Sequence, residues 1–142
     1  MATFTCNDID GFVLDMQEFA RLPDGVIEDI LRSGAEVIRK AHVEAINTQF
    51  GNPTGKLMGS PGIKIVKGAR YALIYPMGTH HTYHAKKGSG VARNAEVGFV
   101  QEFGGHGNQA HAWMLTANEK STDETAEAEA KVYDNWLKTL NL

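Results

Sequence analysis

A chain of 142 residues, 42% of them hydrophobic, is long enough to bury one real core without disulfides or metals to staple it. The formal net charge of -3 and the pI near 6.0 argue against a protein that grips a phosphate backbone along its whole length. The single cysteine, Cys6, excludes an internal disulfide and a thiolate cluster, and no run approaches the roughly 18 apolar residues of a membrane span.

The opening residues MATFTCNDID carry neither a basic stretch nor an apolar core, so the expectation is a soluble protein made in a cytoplasm. From Ile9 to Leu22 the residues Phe12, Val13, Met16, Phe19 and Ala20 recur at helical spacing, and Leu22-Pro23-Asp24-Gly25 then punctuates the pattern. Asp24 is placed to cap a second helix, with Glu28 and Asp29 in its first turns, where the dipole favours negative charge. Over Val26 to Phe50 the set Ile27, Ile30, Leu31, Gly34, Ile38, Ala41 and Ala45 makes one apolar stripe, opposed by Glu28, Arg32, Glu36, Arg39, Lys40 and Glu44. Gly51-Asn52-Pro53 ends it.

Beyond Leu57 the period changes to two. Ile63 and Ile65 alternate with Lys64 and Val66, Gly68-Ala69 turns the chain, and Tyr71 to Tyr75 returns as the second strand of a hairpin. Residues 78–93 are polar and glycine-rich, and are expected to form a long mobile loop. Asn94 to Phe103 alternates again, Val97, Phe99 and Gln101 against Gly98, Val100 and Glu102, which predicts a strand broken at Gly104-Gly105. A terminal helix over Trp113 to Leu140 follows, with the stripe Ala126, Ala130, Val132, Tyr133, Trp136, Leu137 and Leu140, and with Ser121-Thr122-Asp123 as a place to kink or restart. Consecutive strands between long helices predict a single α+β domain over 1–142: a long N-terminal helix and a C-terminal helix on one face of a small, mainly antiparallel sheet of three to four strands.

No stretch reads as a catalytic constellation. His80, His81 and His84, with His106 and His111, form the nearest thing to a metal-ligand pattern, His80 and His84 at helical spacing, but no carboxylate accompanies them and Gly78, Gly88 and Gly90 oppose a helix that would align them. Solvated loop histidines are the favoured reading, and a small metal-dependent hydrolase is the alternative. Lys86, Lys87 and Arg93 beside Tyr83 could meet phosphate or an acidic partner, although a solvated loop tip accounts for them more simply. The string Gly51-Asn52-Pro53-Thr54-Gly55-Lys56 lacks the Walker spacing and follows a helix where a phosphate loop follows a strand. Glu102 has no second acid or nucleophile in fixed relation to it, so a structural hydrogen bond to the following corner, or a pair between subunits, is expected of it. Phe99, Phe103, Trp113 and Trp136 read as core aromatics. No cofactor is expected.

Three segments, in order, carry a resemblance. Pro53-Thr54-Gly55-Lys56-Leu57 follows the long helix, Asn94-Ala95-Glu96-Val97-Gly98-Phe99-Val100-Gln101-Glu102-Phe103-Gly104 ends in Glu-Phe-Gly, and Ala110-His111-Ala112-Trp113-Met114 leads into the last helix. The chain resembles the minor tail-component proteins of long-tailed bacteriophages, the gene-product-ten type, also described as neck, head-tail connector or tail completion proteins. The similarity runs from about Asp8 to Leu140, with His111-Ala112 where the family has Arg-Pro and Trp113 where it has Phe. It implies a non-enzymatic virion protein of the head-tail junction, made in the host cytoplasm. Such a protein would assemble with itself as a hexameric ring or a related cyclic assembly, beside connector and tail-tube proteins, with no specific nucleic-acid binding and no membrane. The signature positions, Gly55, Leu57, Asn94, Glu96, Phe99, Glu102, Phe103, Gly104, His111 and Trp113, would then serve folding and assembly. A ring subunit needs two different, mutually fitting faces, which open sheet edges and the 78–93 segment would supply.

Overall fold

The structure, a computed structural model, describes residues 21–49, 55–66, 68, 70–85, 88–105 and 107–140. The short helix expected over 9–22 lies almost wholly outside them, as do Cys6, the Gly51-Asn52-Pro53 terminator, Lys86, Lys87 and His106. The order is α1 (Asp24–Gln49), α2 (Gly55–Met58), β1 (Pro61–Val66), β2 (Tyr71–Pro76), β3 (Thr79–Ala85), β4 (Gly88–Arg93), α3 (Asn94–Phe103) and α4 (Trp113–Thr139). This is an α+β fold.

The stripe on α1 buries Ile27, Gly34, Ala35, His42, Ala45 and Ile46. Gly34 and Ala35 let α4 approach closely, since a Cβ on Gly34 would collide with the Glu129 side chain laid across it. The Ser33 hydroxyl bridges the same crossing, donating to the carbonyls of Ile30 at 2.8 Å and Ala128 at 3.3 Å. Asp24 is the first helical residue and not the residue before it, because Pro23 already supplies the carbonyl that Ile27 N–H meets at 3.1 Å. α4 runs unbroken through Ser121-Thr122-Asp123, where the Thr122 hydroxyl turns back to the Asn118 carbonyl at 2.9 Å.

β1 and β2 form the expected antiparallel hairpin, Ile63 opposite Ile74 and Ile65 opposite Ala72, closed by Gly68 and Arg70 at positive φ. The segment read as a mobile loop is a second antiparallel hairpin, Thr79 opposite Arg93 through Ala85 opposite Gly88, with a register shift between Thr79 and His81. One sheet of three to four strands is thereby corrected to two sheets of two strands each. The separation occurs at Met77-Gly78. Met77 N–H turns aside to the Ser60 carbonyl at 2.9 Å, and Gly78 takes a φ of +83°, so β3 leaves the plane of β2.

The larger correction is α3. The expected strand over 94–103 is a helix, with Asn94, Gly98 and Glu102 buried four residues apart on one side and Glu96, Phe99 and Phe103 outward. Arg93 stays extended as the cap residue, its N–H donates to the Glu96 carboxylate at 2.9 Å, and Gly104 stops the helix at a φ of +78°. The core joins Ala45, Ile46, Leu57, Trp113 and Ala117, so α1, α2 and α4 meet at one point. Trp113 alone of the four supposed core aromatics is fully buried. Phe99 and Phe103 are 61% and 66% exposed, and Trp136 is half-buried beside Tyr133.

Candidate functional site: the corner between α3 and α4

Six of the ten signature positions, Phe99, Glu102, Phe103, Gly104, His111 and Trp113, lie at the corner where α3 hands over to α4. The α4 N-terminus presents free amides, and the residue before it, Ala112, has no side chain to cap them. Glu102 does so from the last turn of α3, its carboxylate accepting from Met114 N–H at 2.6 Å and Leu115 N–H at 3.1 Å. Its negative charge also lies at the positive end of the α4 dipole. The expected structural role of this carboxylate is what the geometry gives. Trp113 locks the corner from the other side: its indole N–H donates to the Gly98 carbonyl at 3.0 Å inside the core. Gly98 must be glycine here, since a Cβ would stand 2.9 Å from the Pro76 ring and 3.2 Å from the Trp113 ring.

The connecting loop is built to the same end. Gly105 and Asn108 exchange backbone hydrogen bonds across a tight turn, and Gly104 passes so close to it that a Cβ would lie 3.0 Å from the Asn108 oxygen. His111 N–H donates to the Gln101 carbonyl at 2.7 Å and Ala112 N–H to that of Glu102 at 3.2 Å. Ala112 adopts the left-handed conformation, φ +46°. Proline, whose ring holds φ near −65°, is incompatible with that value. Asn94 fixes the far end of α3. Its side-chain amide donates to the Met77 carbonyl at 2.8 Å and its backbone N–H to that of Gly78 at 2.9 Å. Of the remaining signature positions, Leu57 is a core residue and Gly55 begins α2.

With its inner side so occupied, the outer side of the corner is apolar. Phe99 and Phe103 stand one turn apart with ring centroids 4.7 Å apart, and Leu115 at the start of α4 is 55% exposed. Exposed aromatics on rigidly held backbone are a feature of binding surfaces. Grooves elsewhere, such as one of about 290 Å³ between the start of α1 and the β1-β2 turn lined by Ile27, Leu31, Ile65 and Val66, contain none of the signature residues.

His42 was not singled out from the sequence, yet it is the polar centre beneath the corner. It is buried, its ring edge meets Trp113 at 5.3 Å between centroids, and its Nε2 pairs with Asn118 Oδ1 at 2.9 Å. The signal available was its place on the apolar stripe of α1, between Ile38 and Ala45. Since Asn118 Oδ1 can only accept, the Nε2 carries the proton, and Nδ1 is left buried without a partner. Burial holds the His42 pKa below its ordinary value, opposed by the Asn118 bond and the Glu102 charge. An unfolded chain therefore takes up this proton first. The contribution is present in full above about pH 6.5 and is lost as pH falls from there through the folded value. Urea midpoints should decline from pH 7.5 to pH 5, and His42→Phe should flatten that decline. His80, its pKa lowered by burial and by neighbouring His81 and Lys56, adds a slope of the same sign, and His80→Ala serves as the control.

His80 and His81 face each other, Nδ1 to Nδ1 at 2.7 Å, and Lys56 Nζ donates to the His80 carbonyl at 3.0 Å. Among the described residues no three His, Cys, Asp or Glu side chains are grouped so as to hold a metal ion, and His111 is engaged at the α3-α4 corner. The His84 side chain and His106 lie outside the described set. No described helix is long and apolar enough to cross a membrane. Comparison with protein-family models, with curated proteins and with solved structures returned no match.

Proposed function

We propose that this chain is a structural, non-catalytic subunit of the head-tail joining region of a long-tailed phage or prophage. It would assemble as a hexameric or related ring and bind connector and tail-tube proteins in the virion. The observation that carries the proposal is the Phe99-Phe103 pair, held out to solvent on a corner whose inner side is fixed by Glu102, Trp113, Gly98 and Asn94. That corner coincides with the Glu-Phe-Gly and His-Ala-Trp segments on which the family resemblance rests. A monomer gains nothing from two aromatic rings in water, whereas an assembling subunit uses such residues as anchors. Among the described residues the sheets have two strands each, and their outer edges are of the kind that dock on neighbours. The test is native mass spectrometry and electron microscopy of the purified protein: closed rings of one copy number support the reading, and a monomer at every concentration contradicts it.

A further inference from the structure

The charges of this chain are segregated in a way the small net value conceals. Between Glu44 and Glu96 there is no Asp or Glu, while seven of the fourteen Lys and Arg fall there. That stretch, which holds both hairpins, has a formal charge of +7 against −10 for the rest of the chain. Those of its cations that the structure describes, Lys56, Lys64, Arg70 and Arg93, are all exposed. Opposite in sign, α4 carries Glu119, Asp123 and Glu127 four residues apart on an exposed stripe that Lys131 ends at the next such position. Like charges at that spacing repel along a helix, so the stripe costs the isolated subunit stability. α1 lies between the two regions, packing along α4 and carrying β1 and β2.

We infer that the hairpin region is a cationic docking face for the acidic α4 stripe of a second copy of this chain. The inference rests on the ring reading and names a charged contact that would act beside the Phe99-Phe103 pair in closing the ring. Unlike surfaces presented by different parts of one subunit make a head-to-tail contact, the kind that generates rings. Opposite fields on the two surfaces would steer successive copies into one orientation and penalise sheet-to-sheet or helix-to-helix encounters. Lysines on edge strands also discourage unwanted strand pairing, but either sign of charge serves that purpose and it does not account for a stretch devoid of acids. Duplex nucleic acid is the competing anion. The acidic stripe favours a second copy, because it supplies a complementary surface of the same molecule and the overall charge is negative.

The experiment uses full-length protein and two variants, a hairpin variant (Lys56→Glu, Lys64→Glu, Arg70→Glu and Arg93→Glu), which turns the stretch from +7 to −1, and a helix variant (Glu119→Lys, Asp123→Lys and Glu127→Lys), each checked for folding by circular dichroism. Light scattering is read at about 50 mM and about 500 mM NaCl, where the screening length shrinks severalfold. For the wild type, the concentration at half-assembly should rise at least about tenfold at high salt, as expected for a contact steered by charge. Each variant alone should remain unassembled, since both of its faces then carry one sign, and an equimolar mixture should recover the wild-type mass. Assembly indifferent to salt, or a mixture no more assembled than its components, overturns the inference while leaving the ring reading in place. Saturable binding of a short DNA duplex that the hairpin variant abolishes, with assembly unchanged, overturns it in favour of nucleic acid. A wild type monomeric at both salt concentrations overturns both readings. Should a variant fail to fold, the wild-type salt series decides.

Discussion

Trp113→Ala is expected to cost about 4–5 kcal/mol of folding stability, the upper end of the range for removing a buried aromatic. The side chain is fully buried where α1, α2 and α4 meet, so truncation opens a void that Ala45, Ile46, Leu57 and Ala117 cannot fill without moving three helices. The change also removes the donor from the Gly98 carbonyl and the ring against which His42 rests. For a domain of this size the melting temperature should fall by roughly 15 °C. Trp113→Phe separates the terms: it keeps most of the packing and loses the indole hydrogen bond, and about 1–2 kcal/mol is expected. Equal losses in the two variants, read from urea unfolding, would show that the bond and not the packing dominates.

Glu102→Ala should have the next largest effect, about 3 kcal/mol, because two amides at the partly buried start of α4 lose their acceptors at once. An ordinary capping side chain is replaced at lower cost because water takes over its bonds, but here the carboxylate is itself buried under the corner. Glu102→Gln retains one acceptor oxygen and loses the charge at the helix dipole, so about half the loss is expected. If Glu102 acted as a catalytic acid and had no structural role, both variants would melt with the wild type. The measurement is the thermal midpoint of each, with hydrogen exchange at Met114 and Leu115 as the local readout. Those two amides should lose protection before the rest of α4.

The long helices were legible because a stripe sustained over some 26 residues, as in α1, admits one period only. α3 was not. In ten residues Val97, Phe99 and Gln101 satisfy a period of two, while Asn94, Gly98 and Glu102 satisfy a period near four, and only the packing of Gly98 on Pro76 and Trp113 decides between them. Once the period was misread, the exposure of Phe99 and Phe103 could not be foreseen. Glu96 in the first turn and Gly104 as a stop were the signals for a helix of that length. The hairpin of β3 and β4 was hidden by glycines and histidines, which are poor strand formers whose pairing here is fixed by Asn94 tying its end to Met77 and Gly78. Glu102 and Trp113 stood out in sequence, but their shared task required knowing that the end of α3 and the start of α4 are neighbours in space. His42 lay on a stripe of aliphatic residues, and its partner Asn118 is 76 residues away.

In the proposed ring the outward aromatic pair is the assembly surface. Phe99→Ala with Phe103→Ala alters exposed side chains that hold no part of the core, so folding stability should change by less than about 1 kcal/mol. Molar mass by light scattering is the direct measurement. The wild type is expected at a cyclic multiple of 15.5 kDa and the double variant at 15.5 kDa, with both melting together. A wild type at the mass of one chain, or a double variant that retains the assembled mass, would contradict that role.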